Sequence, residues 1–97
     1  LNATHKALAV IRPLIGFPED WRNLQQSHIN DAPPASLTQV RLYLFTLKAI
    51  GFLNMRLEYL DVSQSIFEKL VVLDSKDRIG AKGLLELVIK RKTDVVM

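Results

Sequence analysis

Apolar side chains recur along this chain at spacings of three and four, the pattern of helices that bury one face. Leu8, Ile11, Leu14 and Ile15 open it between Ala7 and Ile15. Pro13 falls inside that run, lacks a backbone donor and steers Arg12 from helical angles, so the first helix is expected to kink or to end near Val10 to Arg12. Gly16-Phe17-Pro18 reads as a turn. Glu19 and Asp20 then place negative charge where a helix begins, and Trp21, Leu24 and His28 mark one face of a second helix that stops by Asp31. The consecutive prolines of Ala32-Pro33-Pro34-Ala35 predict an extended linker.

Ser36 and Gln39 carry a capping-box spacing just ahead of the longest apolar run. The helix they announce should reach Met55 or Leu57, with Val40, Tyr43, Leu44, Leu47, Ile50, Leu53 and Leu57 at helical spacing. Leu42, Phe45, Phe52 and Met55 make its other faces apolar too, which predicts a central helix packed on more than one side. Asp61 is expected to cap a following helix through Val62, Ile66, Phe67, Leu70, Val71 and Leu73, broken by Asp74-Ser75-Lys76-Asp77. A last helix carries Leu84, Leu85, Leu87, Val88 and Ile89 into the cationic Lys90-Arg91-Lys92, the sign favoured at a helix C-terminus. No stretch shows clear strand alternation, and the fold class is all-α.

Residues 44–77 resemble one tetratricopeptide repeat, a helix–turn–helix unit of about 34 residues. Leu47, Ile50, Gly51 and Asn54 stand at the marked places of the family's first helix, and Ser63, Phe67 and Leu70 at those of its second. Gly51 would let the two helices approach, Phe67 would fill the gap, and Ser63 is small where they cross. Leu47 replaces the family's Trp, Asn54 an aromatic, Leu70 a small residue and Ser75 the closing Pro. The expected architecture is a single compact bundle of about five helices over residues 1–97. It has this antiparallel hairpin at its centre, N-terminal helices over 3–31 and a C-terminal helix over 77–92. The resemblance implies a protein-interaction module, in the manner of an adaptor, a co-chaperone or a secretion chaperone. Its docking stripe would run along Arg41, Phe45, Lys48, Phe52, Met55 and Arg56. Such a stripe suits a peptide with apolar anchors and acidic flanks. The same Phe45, Phe52 and Met55 could instead pack against the N-terminal helices.

The 97 residues are 48% hydrophobic and 24% charged, a globular composition, and the absence of cysteine excludes disulfides and thiolate chemistry. A net charge of +3 is too small to mark a nucleic-acid binder. Gly80-Ala81-Lys82-Gly83 does resemble the Gly-x-x-Gly loop of KH domains, and Lys90-Arg91-Lys92 would add charge. The rest of that pattern is missing, since only Val95-Val96-Met97 and Val71-Val72-Leu73 could supply strands. Nucleic acid is therefore the alternative partner and not the preferred one, and self-association as a homodimer is another, because open apolar helix faces invite it. His5 and His28 are not spaced as metal ligands, and Ser27 beside His28 points elsewhere on a helix. No catalytic residue, metal or cofactor is expected. Arg41, Lys48 and Arg56 interrupt the apolar stretch from Val40 to Leu60, so no membrane span is expected. The opening Leu1-Asn2-Ala3-Thr4 has no signal-peptide pattern, so the expected location is cytoplasmic.

Overall fold

A computed structural model describes residues 2–96. It is all-α, with α1 over Asn2–Ile15, α2 over Gln26–Asn30, α3 over Leu37–Arg56, α4 over Leu60–Leu73 and α5 over Ala81–Val96. Short 3-10 turns at Trp21–Asn23 and Pro34–Ser36 complete the described elements.

Helix α1 passes straight through Pro13 to Ile15, so the expected break at Val10 to Arg12 does not occur. Leu8, Ile11 and Ile15 need one continuous helix to reach the core together. Pro13 leaves the Ala9 carbonyl without its helical amide partner, and burying these three side chains offsets that loss. Gly16 then ends α1 in the left-handed region (φ 68°), and the amide of Phe17 donates back to the Arg12 carbonyl at 3.2 Å. This is the Schellman arrangement, which glycine adopts without strain.

The second helix expected up to Asp31 splits in two. Asp20 accepts a hydrogen bond from the Arg22 amide at 2.9 Å and caps the 3-10 turn, after which Leu24 adopts extended angles and is wholly buried. The helix restarts at Gln26, where the Gln25 amide donates to Nδ1 of His28 at 2.9 Å. The linker is not uniformly extended either: Pro33 is, but Pro34 begins a 3-10 turn closed by the Ser36 amide on the Pro33 carbonyl at 2.8 Å. That turn leaves Ser36 at φ −95°, ψ 4° with no side-chain cap, so the capping box does not form and the buried Gln39 Oε1 has no partner.

Helix α3 is central, as its apolar faces predict. Val40, Tyr43, Leu44, Leu47, Ile50 and Met55 are buried, with α1 packed on one flank and α4 on another. The chain reverses through Leu57–Tyr59. Glu58 takes the left-handed conformation (φ 66°) and the Tyr59 amide reaches the Asn54 carbonyl at 2.9 Å. Residues 44–77 thus fold back on themselves. A Cβ on Gly51 would lie 2.7 Å from Cε1 of Phe67 and 3.0 Å from Cγ2 of Ile66. Ser63 Oγ donates to the Gly51 carbonyl at 2.8 Å in the same buried crossing.

Asp61 does not cap α4, whose N-cap is Tyr59; it lies in the first turn and pairs with Lys92 instead. Helix α5 starts at Ala81, later than the expected 77, and continues to Val96 past the basic cluster. It packs on α4, with Ala81, Leu84, Leu85 and Val88 turned to the core, and touches α3 far less. The helices therefore lie side by side in the order α1, α3, α4, α5. The molecule measures 47 × 29 × 19 Å, with a radius of gyration of 13.6 Å. A spherical chain of this length would have a radius of about 12.5 Å. So flat an array leaves α3 with one face that no neighbour covers.

Candidate functional site

The uncovered face of α3 carries most of the stripe expected from the sequence. Phe45 and Phe52, seven positions apart and so on one side of the helix, are 48% and 39% exposed. Arg41 and Arg56 are exposed at either end of the stripe. The Arg56 guanidinium lies 6.0 Å from the Phe52 ring centre, and the Lys48 ammonium 5.9 Å from that of Phe45. Cation–π attraction at exposed positions is worth about 0.5–1 kcal/mol, a mild bias of the charges toward the rings.

Two stripe residues need correction. Met55 is 2% exposed and belongs to the core cluster. Lys48 is half-buried, and its Nζ donates to the Ile79 carbonyl at 2.8 Å. That bond ties the start of α5 to α3, so Lys48 is committed to the fold. The alternative that Phe45 and Phe52 pack under the N-terminal helices does not hold, since α1 lies against the Tyr43 side. There the Phe17 and Tyr43 rings meet edge to face at 4.9 Å. Burial there pushes the Tyr43 hydroxyl above its ordinary range, while the Arg12 charge opposes the shift.

At the N-terminal end of the stripe the surface deepens into a cleft of about 360 Å³ that no local pattern foretells. Ile29 of α2, Val40 and Leu44 of α3, and Leu73 and Ile79 from the end of α4 and the next loop form its apolar lining. Arg41 and Arg78 line it as well, together with Leu37, Phe45 and Asp74. Both Asp74 carboxylate oxygens are engaged: Oδ1 accepts from the Arg78 amide at 3.1 Å and Oδ2 from the Ile79 amide at 2.6 Å. These bonds set the loop that brings Arg78 opposite α3. Local sequence carries no sign of the cleft, because its walls come from positions 29 to 79.

The remaining candidates lie apart from the stripe. Gly80-Ala81-Lys82-Gly83 is not a loop: Gly80 takes φ 81° just before α5, and residues 81–83 are that helix's first turn. Val71–Leu73 is helical, as are residues 95 and 96, and Met97 lies outside the described residues. In the basic cluster, Arg91 pairs with Glu58, and Lys92 pairs with Asp61 at 2.7 Å and donates to Gln64 at 2.8 Å. Lys90 is exposed. The hydrogen bond from Lys92, and then its charge, hold the Asp61 carboxyl below its ordinary value. Half-buried His28 lies against Phe17, whereas His5 lines a separate hollow beside Tyr43. Among the described residues, no helix is long and apolar enough to cross a membrane.

No protein-family model matches the chain, and no solved structure matches it. A protein of Azotobacter chroococcum mcd 1, described as an uncharacterized 19.8 kDa protein in the nifW 5′ region, is 26% identical over 97 residues. The chain spans only 54% of that protein's length, so what is similar is this chain and about half of a longer protein whose own role is uncharacterized.

Proposed function

We propose that the chain is a non-enzymatic protein-interaction module, built around a tetratricopeptide-like hairpin at residues 44–77. Its outer α3 face receives an amphipathic or extended peptide with apolar anchors and acidic flanks. The carrying observation is the pair Phe45 and Phe52, exposed on one side of the central helix and bracketed by Arg41 and Arg56. Helical partners dock through apolar side chains one or two turns apart, and guanidinium groups at the rim select acidic flanks and speed encounter. Support for the hairpin comes from the contact of Gly51 with Phe67 and from the buried Ser63 hydroxyl at the same crossing. Lys48 and Met55 drop out of the docking set, leaving Arg41, Phe45, Phe52 and Arg56.

Affinity purification from the native organism, run in parallel with wild-type protein, Phe52→Ala and Arg41→Glu, tests this reading. A specific partner recovered by the wild type should be lost with both variants while far-UV circular dichroism is unchanged. Equal recovery by all three proteins refutes it. So does loss of helicity in Phe52→Ala, which would make Phe52 a core residue.

A further inference from the structure

We infer that the cleft between α2, α3 and the α4–α5 loop binds a small amphiphilic carboxylate, a compact apolar body ending in a single carboxylate group. Its volume of about 360 Å³ lies at the lower end of small-molecule sites. The lining has the composition of such sites, an apolar floor with few polar groups. Ile29, Val40, Leu44, Leu73 and Ile79 supply the floor, so the bulk of any occupant must be apolar.

The charge of the occupant follows from how the three ionic side chains are used. Asp74 spends both carboxylate oxygens on backbone amides of its own loop. Arg41 and Arg78 have no ion pair among the described residues, leaving two guanidinium groups and a net positive charge on the lining. A guanidinium presents parallel donors that match one carboxylate, and such charge-assisted bonds strengthen at the edge of an apolar surface. A cation would be repelled. A neutral amphiphile would bury its body and form no ion pair with either arginine, and a carboxylate at the far end of that body would face the apolar floor unpaired. The site goes beyond the peptide reading. It shares Arg41 and Phe45 with that surface, but Arg78 belongs to the cleft alone.

The test is titration of the folded protein with decanoate, below its micelle-forming concentration, by calorimetry and by amide chemical shifts. Saturable one-to-one binding is expected, with shifts concentrated at Ile29, Leu44 and Ile79. Arg78→Gln should weaken it about tenfold, the usual loss for one bond to a charged group. Leu37→Glu, an exposed change that sets an acid at the rim, should abolish it. Decyltrimethylammonium should not compete. The inference is overturned if decanoate does not saturate, if the cation binds as well, if Arg78→Gln binds undiminished, or if the shifts centre on Val10, Leu14 and Phe52. Because Arg78 lies off the peptide surface, Arg78→Gln should leave partner recovery intact, so each reading can fail without the other.

Discussion

Gly51→Ala puts the central helix crossing to the most direct test. An added methyl would meet Cε1 of Phe67 at 2.7 Å, Cγ2 of Ile66 at 3.0 Å and Cζ of Phe67 at 3.1 Å. Neither neighbour has room to yield: Phe67 is fully buried and Ile66 is 1% exposed. Forcing extra volume into a packed core costs about 1–3 kcal/mol. Against this, alanine is better than glycine inside a helix by about 1 kcal/mol. The clash should win, giving a net loss of about 1 kcal/mol. Gly83→Ala is the matched control. It also lies in a helix, nothing stands within 4 Å of its new Cβ, and it should gain up to about 1 kcal/mol. Urea unfolding followed by circular dichroism measures both, and thermal midpoints should shift by about 4–8 °C per kcal/mol in a domain of this size. Repeating Gly51→Ala in a Phe67→Leu background should shrink its penalty, because the ring edge is gone. A Gly51→Ala protein stabilised as much as Gly83→Ala would refute the close crossing.

Other outcomes follow from named contacts. Asp74→Ala should destabilise by about 1–2 kcal/mol in the same unfolding assay, since the Arg78 and Ile79 amides lose a charged acceptor; no change would mean the loop holds itself. Tyr43 gives an alkaline limit. Its folded-state pKa is raised above 10.0 by burial, so the stability it contributes is present below that value and lost as pH rises through the folded pKa. Thermal midpoints should therefore drop above about pH 10, and Tyr43→Phe should lessen the drop. Asp61, with its pKa lowered by Lys92, should titrate by carboxyl-carbon NMR below an ordinary aspartate and return toward it in Lys92→Met. The sign is opposite to that of Tyr43: whatever stability this pair gives is present above the unfolded pKa and lost as pH falls through the folded one. Because the pair is at the surface, its effect should fade with added salt.

The helical fold and its central hairpin were legible in the chain because they depend on short-range periodicity. Ser63, Ile66, Phe67, Leu70 and Leu73 line one face of α4 whatever surrounds them, and Gly51 marks the only place on α3 where a ring could press against backbone. Local rules failed where two of them competed. Pro13 argued for a break, yet the buried trio Leu8, Ile11 and Ile15 held α1 together. Ser36 and Gln39 had a capping spacing, but the Pro34 turn rotated Ser36 out of position. Trp21, Leu24 and His28 fit one helix face, although Asp20 capped a shorter turn first.

Phe45 and Met55 look alike in sequence, two apolar residues on the same stripe, and only the tertiary packing buries one and leaves the other open. Lys48 was indistinguishable from Arg41 until Ile79 arrived from 31 residues away to occupy its ammonium group. The cleft is wholly a product of tertiary structure, since Ile29, Arg41 and Arg78 share no local pattern. Periodicity decides which side of a helix is apolar. Which apolar side finds a neighbour depends on how the helices are arrayed, and here a flat row of them left one side of α3 uncovered.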